Sequence, residues 1–310
     1  MKSRRQMTCV LTCICISAML AVLCTARSAQ AVDRKVLCEQ FTATWCGWCP
    51  YVGEAHGQMI DEYPDTWVGF QIHCGDAYAT TWGNQRKSYY GVTGYPTYLI
   101  DGIYKQVGSE GTSVPANKAK MVQYMEIRLG VPTDISLELG GEVVSGQTYR
   151  MVAKATLDES AAARTVRLYM IEALDHYPSS AVHYRNCFRQ AANYVDLDLE
   201  PGEAQFVEHE FTFDSTSWAM KENIRIIGWV QKKLTSKEVS NAEMISWPFP
   251  PPPEDEIPED ITGDGVVDVL DLLAVLGAWG GCVDCPEDIN GDGVVDVLDL
   301  LEVLADWGPC

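Results

Sequence analysis

Two cysteines separated by two residues, Cys46 and Cys49, are the residues of this sequence best suited to chemistry. They lie in the segment Phe41-Thr42-Ala43-Thr44-Trp45-Cys46-Gly47-Trp48-Cys49-Pro50, where an apolar run gives way to a helical pattern. A thiolate at a helix N-terminus is stabilised by unpaired N–H groups and by the helix dipole. The spacing therefore predicts a reversible dithiol, in which Cys46 is the nucleophile and Cys49, one turn into the helix, resolves the mixed disulfide.

The residues alone leave three interpretations of this pair: a redox-active dithiol, a permanently oxidised structural disulfide, or half of a zinc site. A structural zinc site needs four ligands, and Cys38, Cys74 and His73 contain no second matching pair. Zinc is therefore the least favoured. Cys38 and Cys74 fall on two strands predicted to be neighbours, where they either form a buried disulfide or pack as small apolar residues.

The elements that must position the dithiol form a small α/β domain over residues 32–130. Strand-like and helix-like patterns alternate there, which favours helices packed on a sheet. The predicted strands lie at 34–43, at 67–73 and within 94–102, and the predicted helices at 50–63, near 82–90 and at 115–129.

Two segments of this domain resemble the thioredoxin fold. Residues 41–49 resemble its active-site segment, and Gly94-Tyr95-Pro96-Thr97 resembles its cis-proline loop. The resemblance implies a cis peptide bond between Tyr95 and Pro96. It also implies a substrate-binding surface, made of Trp45, Trp48, Tyr95 and Pro96, for the backbone of a protein thiol or disulfide.

One position departs from the thioredoxin pattern. Thioredoxins carry a buried acidic residue six positions before the first cysteine, and Gln40 stands there in this sequence. The adjacent Glu39 is acidic, but strand alternation points it to the other face of the sheet. The departure argues against assuming an efficient reductant.

Residues 131–247 change to a pattern of period two, typical of an all-β sandwich. The predicted strands lie at 135–139, 149–157, 166–174, 206–213 and 224–230. The longest connection, 175–202, is predicted to be irregular, and its His183 and Arg185 are interpreted as a hydrogen-bonded loop that braces the sandwich.

A thioredoxin-like domain followed by such a sandwich, with the loop Val182-His183-Tyr184-Arg185, resembles a family of exported, outer-membrane-associated bacterial proteins. This resemblance bears on architecture more than on reaction, because the biochemical activity of that family is poorly defined.

The last part of the chain is an acidic internal repeat behind a proline-rich acidic linker at 248–258. The linker is predicted to be an extended, semi-rigid spacer that does not join a core. Residues 263–273 recur without change at 291–301, and residues beyond Phe249 include 16 Asp and Glu but no Lys or Arg. The sequence therefore predicts a separate small α module at 259–310.

Each repeat fits a twelve-residue calcium loop of the EF-hand type, in which oxygen atoms at positions 1, 3, 5, 7, 9 and 12 bind the ion and glycine occupies position 6. Position 7 contributes a main-chain carbonyl. The predicted ligands of two Ca²⁺ ions are Asp260, Thr262, Asp264, Val266, Asp268 and Asp271 in the first loop, and Asp288, Asn290, Asp292, Val294, Asp296 and Asp299 in the second. We expect folding of this module to depend on calcium, and we expect no organic cofactor.

These loops resemble dockerin repeats, in which a calcium loop leads into a single helix. The resemblance implies an attachment module whose partner is a cohesin-like or cell-surface protein. In the two helices, one face is predicted to carry Val269, Leu272, Leu273 and Leu276, and the other Val297, Leu300, Leu301 and Leu304, so that the two faces can bury each other.

Three further cysteines, Cys282, Cys285 and Cys310, lie at the ends of the repeats. A bridge from Cys310 to either Cys282 or Cys285 is predicted to clamp the module, which leaves one thiol unassigned.

The N-terminal residues 1–31 predict an export signal. Three basic residues precede an apolar run over 8–24, and Ala29-Gln30-Ala31 fits a cleavage site. Cleavage would remove four of the 23 basic residues and no acidic one, so the formal charge would change from −20 to −24. We expect a periplasmic, cell-surface or extracellular protein with no transmembrane span after cleavage and no nucleic-acid partner.

Two functions follow from the sequence. The first is an exported thiol–disulfide oxidoreductase that acts on protein thiols or disulfides and is tethered through the C-terminal module. The second is a non-enzymatic surface or assembly protein, in which an inert thioredoxin scaffold is attached through a dockerin-like module, an arrangement associated with polysaccharide-degrading complexes.

Overall fold

The protein is described by a computed structural model over residues 32–233, 236–254, 257–282 and 285–309. The predicted export signal at 1–31 and Cys310 lie outside the described residues.

Residues 32–130 form a four-stranded sheet with helices on both faces. The elements in chain order are β1 (Val36–Thr42), α1 (Cys49–Glu62), β2 (Trp67–His73), α2 (Thr81–Tyr89), β3 (Thr97–Ile100), β4 (Tyr104–Val107) and α3 (Val114–Leu129). β1 pairs in parallel with β2 and antiparallel with β3, and β4 continues the sheet beyond β3. The predicted α/β domain is therefore present in this part of the chain.

Local sequence explains these elements. Every residue of β1 and β2 is buried, as expected for parallel strands covered on both faces. Helix α3 begins where the Ser113 side chain accepts a hydrogen bond from the Ala116 amide and Pro115 fills a first-turn position. Helices α1 and α3 share one apolar core on one face of the sheet, in which Met59 and Met121 are fully buried.

Residues 131–247 are mostly strands. The elements in chain order are β5 (Ile135–Ser145), β6 (Thr148–Leu157), β7 (Arg164–Leu174), β8 (Cys187–Ala191), β9 (Val195–Leu199), β10 (Ala204–Thr212), α4 (Ser215–Ala219), a 3₁₀ turn (Lys221–Asn223), β11 (Ile224–Lys232) and β12 (Val239–Ser246). The strands predicted from the period-two pattern are all present. β8, β9 and β12 were not predicted.

Not all strands of the second part stay apart from the first, because several of them extend the sheet of residues 32–130, which corrects the prediction of a separate sandwich domain. β8 pairs in parallel with β2, where Gln71 faces Cys187, and antiparallel with β7. One sheet therefore runs in the order β12-β11-β7-β8-β2-β1-β3-β4, with β9 also paired to β7. The joining strand lies inside the connection that the sequence predicts to be irregular, because its five residues carry no clear alternation.

A sandwich is nevertheless present at one end of that sheet. A three-stranded sheet in the order β10-β6-β5 packs its apolar face against β7 and β11. Leu139, Met151, Met170, Ile226 and Phe211 are among the buried side chains of this core. The three-stranded sheet thus covers β7 and β11, two of the strands by which the second part of the chain extends the large sheet.

The start of the proline-rich linker packs against the sandwich, which corrects its prediction as a spacer outside any core. The Gly141 amide donates to the Pro250 carbonyl at 2.8 Å, and the Lys154 ammonium donates to the Glu254 carbonyl at 2.8 Å. Phe249 packs against the sandwich core. A Cβ at Gly140 would overlap the Pro251 carbonyl oxygen, so glycine is what lets the linker lie against β5.

The C-terminal part contains two short helices, each preceded by a loop. Its elements are β13 (Val266–Val267), α5 (Val269–Gly277), β14 (Gly280–Gly281), β15 (Val294–Val295), α6 (Val297–Ala305) and β16 (Gly308–Pro309). The short strands pair crosswise, β13 with β16 and β14 with β15. Both repeats therefore contribute to one small core, in which Val267, Val275, Val295 and Val303 are fully buried or nearly so.

The buried faces of α5 and α6 differ from the prediction. Val275 and Val303 are buried, and Leu272 and Leu300 pack beside them. The remaining predicted core residues are about half exposed: Val269, Leu273 and Leu276 in α5, and Val297, Leu301 and Leu304 in α6. Each helix has only nine residues and carries apolar residues on several sides. The sequence pattern alone therefore does not determine which side faces the core.

A buried ion pair joins the two parts of the large sheet and gives a test of the fold. Arg86 on α2 donates two hydrogen bonds to the Glu39 carboxylate, at 2.6 and 2.8 Å, and one to Gln231 on β11 at 3.0 Å. Burial alone would lower the pKa of Arg86, but the Glu39 charge raises it above its ordinary value. Both side chains are almost completely buried.

We expect Arg86→Met to lower the free energy of unfolding by about 3–5 kcal/mol, because it leaves the Glu39 carboxylate buried without its partner. Adding Glu39→Gln should recover at least half of that loss. Lys118→Met, which breaks the more exposed pair with Glu62, is the control and should cost about 1 kcal/mol or less. Urea unfolding followed by tryptophan fluorescence measures all three, and equal losses for Arg86→Met and Lys118→Met would contradict the expectation.

Candidate functional site

The dithiol lies at the carboxyl edge of the parallel strands, between the end of β1 and the start of α1. Cys49 is the first residue of α1 and Pro50 follows in its first turn, whereas the sequence predicts Cys46 at the helix start and Cys49 one turn inside. Cys46 instead precedes the helix by three residues, in a turn closed by the hydrogen bond from its amide to the Ala43 carbonyl at 3.0 Å. The Cys46 sulfur therefore reaches the helix N-terminus through its disulfide bond to Cys49, the first helical residue.

Cys46 and Cys49 form a disulfide, with their Cα atoms 5.4 Å apart. Cys46 is 7% exposed and Cys49 3% exposed, and both pack beside Ala43 and the Tyr95 ring. The nucleophile predicted from the sequence is therefore the more exposed sulfur-bearing residue of the pair.

Two tryptophans flank this disulfide and face solvent. Trp45 is 65% exposed and Trp48 53% exposed. The Trp45 indole donates to the Gly75 carbonyl at 2.9 Å and meets the Tyr95 ring edge-on at 5.8 Å between centroids. Trp45 and Tyr95 thus meet beside the dithiol and Trp48 directly precedes Cys49, while their role in binding a substrate stays a prediction.

The peptide bond between Tyr95 and Pro96 is cis. The Pro96 carbonyl accepts a hydrogen bond from the Gly108 amide at 2.8 Å. Within the described ranges, the Tyr95 main chain has no backbone hydrogen-bond partner. Among the backbone pairs of the described residues, Pro96 is therefore engaged and Tyr95 is not.

Gln40 and Glu39 point to opposite faces of β1, as strand alternation predicts. Glu39 meets Arg86 and also accepts a hydrogen bond from the Tyr90 hydroxyl at 2.6 Å. Gln40 is fully buried, and its carbonyl oxygen accepts from the Gln71 amide at 3.3 Å. The Glu39 carboxylate thus forms an ion pair with Arg86 on the face of the sheet opposite Gln40.

Cys38, Cys74 and Cys187 are buried free thiols. The structure thus favours packed thiols over a bridge between Cys38 and Cys74. Burial raises the pKa of Cys74 to about 11 and holds the pKa of Cys38 and Cys187 well above the ordinary value. Cys38 lies 3.3 Å from Nδ1 of His56, whose pKa burial lowers to about 3, so a neutral imidazole faces the thiol.

The loop before β8 borders the dithiol helix. Arg185 contacts Asp61 on α1 at 2.8 Å and Asp175 at 2.7 Å. The His183 carbonyl accepts from the Gln71 amide at 2.8 Å, and it passes so close to Gly53 that a Cβ there would overlap it. His183 and Arg185 therefore contact α1 as well as the sandwich. The sequence prediction included only the contact with the sandwich.

The two C-terminal loops have the same hydrogen-bonding pattern. In the first, Asp260 accepts from the Gly263, Asp264 and Gly265 amides at 2.9, 3.1 and 2.8 Å. Asp271 accepts from the Thr262 and Asp268 amides at 2.9 and 2.8 Å. In the second loop, Asp288 accepts from Asp292 and Gly293, and Asp299 from Asn290 and Asp296. The loops are thus folded around their first and twelfth residues.

Two features of these loops are those expected of a calcium loop. Gly265 and Gly293, at position 6, have φ of +84° and +89°, a conformation that favours glycine. The predicted ligand atoms are all oxygens, which calcium prefers. In the part of the chain that the structure describes, no three His, Cys, Asp or Glu side chains are gathered closely enough to hold a metal. The agreement with a calcium loop therefore rests on the glycine conformation at position 6 and on the oxygen ligands.

Two of the three C-terminal cysteines lie within the described residues. Cys282 is bonded to Cys285, with Cα atoms 6.1 Å apart. The predicted bridge to Cys310 involves a residue outside the described ranges. A pairing within the Cys282–Cys285 segment leaves Cys310 as the unassigned cysteine.

The strand order, the dithiol and the cis-proline loop define a thioredoxin-like scaffold. No protein-family model matches the chain, and no curated protein sequence matches it. Among solved structures, HBP35 of Porphyromonas gingivalis is 16% identical, with 73% of this chain and 79% of that chain covered and a TM-score of 0.57. That similarity shows a shared fold.

Two further structures match shorter parts of the chain. A domain of the outer membrane lipoprotein Omp28 from Porphyromonas gingivalis is 14% identical, with 40% of this chain and 92% of that chain covered and a TM-score of 0.29. Thioredoxin O2 of Arabidopsis thaliana is 22% identical, with 31% and 78% covered and a TM-score of 0.23. Among the described residues, no helix is both long and apolar enough to cross a membrane.

The thiols of the folded protein should differ sharply in reactivity. After mild reduction, we expect alkylation of the native protein to label Cys46 and Cys49, whereas Cys38, Cys74 and Cys187 react only in concentrated guanidinium chloride, because burial blocks access and disfavours the thiolate. Peptide mass spectrometry locates the labels. Native labelling of Cys187 at the rate of Cys46 would contradict the burial described here.

Proposed function

We propose that this protein is an exported thiol–disulfide oxidoreductase-like protein tethered through a calcium-dependent C-terminal module. The observation that carries the redox part is the Cys46–Cys49 disulfide at the start of α1, next to the cis Tyr95–Pro96 loop. Export is supported by the residues of the predicted signal and by disulfides, which persist outside the cytoplasm.

In the reaction we propose, the Cys46 thiolate attacks a substrate disulfide and forms a mixed disulfide, and one substrate sulfur leaves as a thiolate. Cys49 then displaces the second substrate sulfur and restores the Cys46–Cys49 disulfide. Two electrons pass to the substrate, and its two sulfurs take up the two protons that the dithiol releases. The same steps in reverse oxidise a substrate dithiol.

The exposed aromatic side chains give the proposed site its preference for protein substrates. Trp45 and Trp48 present apolar surface beside the disulfide, and we expect the Tyr95 main chain, which has no backbone partner among the described residues, to pair with an extended segment. Such pairing uses backbone groups and is independent of substrate sequence. The expected substrate is therefore an extended protein segment that carries a cysteine next to apolar residues.

The C-terminal module is proposed to bind two calcium ions and to attach the protein to a cohesin-like or cell-surface partner. The first ion would be held by Asp260, Thr262, Asp264, Asp268, Asp271 and the Val266 carbonyl, and the second by the equivalent residues of the other loop. Bound calcium would neutralise the clustered carboxylates. The half-exposed apolar residues of α5 and α6 support a role in binding another protein.

A second candidate function is a non-enzymatic surface or assembly protein with an inert scaffold. Two observations favour it: the exposed fractions of Cys46 and Cys49 are only 7% and 3%, and Gln40 supplies no acid or base beneath the dithiol. In this case the Cys46–Cys49 disulfide would be structural and would resist mild reductants.

The redox proposal is tested by disulfide exchange on the full chain. We expect reduced protein to reduce insulin disulfides at a rate that Cys46→Ser abolishes and Cys49→Ser lowers at least tenfold, because the first residue attacks and the second resolves. Cys74→Ser, a buried cysteine outside the pair, is the matched control and should retain the parent rate. A parent protein without exchange in either direction would favour the inert scaffold.

The calcium proposal is tested by titration of the full chain with calcium chloride. Asp264→Asn and Asp292→Asn should each weaken one site at least tenfold, because each removes a charged ligand while the amide preserves shape. Asp306→Asn, outside both loops, is the control. Isothermal titration calorimetry gives the affinities. If calcium produces no binding heat and a chelator leaves the melting profile unchanged, the calcium proposal is wrong.

A further inference from the structure

The carboxylate of Asp76 connects the dithiol loop to the end of β2. Its Oδ2 atom accepts a hydrogen bond from the Thr44 amide at 2.8 Å and contacts Nδ1 of His73 at 2.7 Å. Its Oδ1 atom accepts from the Tyr78 amide at 3.0 Å. The side chains of Asp76 and His73 are 2% and 3% exposed, so this contact is shielded from water.

A buried chain of polar groups continues from His73. Nδ1 faces a carboxylate and therefore carries a hydrogen, while Nε2 lies 3.8 Å from the Cys187 sulfur. That sulfur is also 3.4 Å from the Gln71 side-chain oxygen, and the Gln71 amide reaches Gln40. Since the sulfur belongs to a buried, high-pKa thiol, its role is to pack and to hold the imidazole.

Asp76 is hydrogen-bonded to the loop that carries the reacting sulfurs. Thr44 is two residues before Cys46, a span of at most about 7 Å between Cα atoms. The neighbouring Gly75 carbonyl holds the Trp45 indole, so residues 75 and 76 fix consecutive residues of the dithiol loop. Burial alone would raise the pKa of Asp76, but hydrogen bonds from His73 and Thr44 lower it below the ordinary value. The carboxylate is thus ionised at neutral pH.

We propose that Asp76, oriented by His73 and Cys187, is a positioning residue that sets the redox equilibrium of the Cys46–Cys49 pair. This inference rests on the proposed thiol–disulfide exchange. The carboxylate anchors the loop through Thr44, and its negative charge disfavours a thiolate nearby while leaving the neutral disulfide unaffected. It therefore favours the disulfide and makes the reduced pair a stronger reductant. Gln40 carries no charge, and the Glu39 carboxylate is paired with Arg86 on the opposite face of the sheet. Neither residue therefore supplies a negative charge at this edge.

The test compares Asp76→Asn with the parent in the full-length protein. The amide keeps the size of the side chain and removes its charge. We expect the equilibrium constant with glutathione to shift about tenfold toward the dithiol, which corresponds to about 30 mV. We also expect a lower pKa of the Cys46 thiol, read from thiolate absorbance against pH. Asp65→Asn, an exposed carboxylate in the same domain, is the control and should change neither value.

A double variant tests whether His73 acts through Asp76. His73→Gln should shift the equilibrium in the parent, but it should add nothing in the Asp76→Asn background, because the carboxylate that it orients is gone. An additive shift would overturn the relay from His73. Asp76→Ser serves as a second charge-removing variant, and near-ultraviolet circular dichroism identifies the variants that keep the native fold.

The outcomes separate this inference from the proposed function. A parent that exchanges disulfides, together with folded Asp76→Asn and Asp76→Ser variants of unchanged equilibrium and unchanged Cys46 pKa, would overturn the role of Asp76 alone. A parent that exchanges no disulfide would overturn the oxidoreductase proposal, and the inference would fall with it.

Discussion

The parallel pairing of β1 with β2 is the constraint on which the rest of the structure depends. It places Thr42 beside His73, so the two strands end at the same edge, and the segments that follow them meet there. One segment carries Cys46 and Cys49, and the other carries Asp76. The outer side of β2 then receives β8, through which the second part of the chain joins the same sheet.

This arrangement makes the dithiol site a product of both parts of the chain. The loop before β8 fixes α1 through Arg185 and Asp61, and the His183 carbonyl occupies the space that Gly53 leaves open. On the opposite face, Glu39 and Arg86 are joined to Gln231 of β11. A substitution in the second part of the chain can therefore change the position of the dithiol helix α1, because residues of both parts pack against each other and are hydrogen-bonded there.

The sequence was sufficient for features that depend on local pattern. The alternation of strands and helices in 32–130 and the strands with clear period-two alternation were predicted from pattern, whereas the cis bond before Pro96 was implied only by the resemblance to thioredoxins. β8 could not be predicted, because Cys187–Ala191 is short and becomes a strand only through its neighbours β2 and β7. The Asp76 contact with Thr44 was also missed, although His73-Cys74-Gly75-Asp76 directly follows a predicted strand, because only tertiary pairing brings that strand end to the dithiol loop.

The packing of the linker against β5 changes how the C-terminal module is tethered. The backbone is held through Pro250 and Glu254, and Ile257 already packs against the C-terminal core. From Glu254 to Ile257 the chain advances three residues, a span of at most about 11 Å between Cα atoms. Under the attachment proposed above, a connection that short would keep the bound partner at a high effective concentration around the rest of the protein. Gly140, far from both proposed sites in sequence, lets the linker lie against β5 and would thus help to set the distance between the proposed dithiol site and a partner bound by the module.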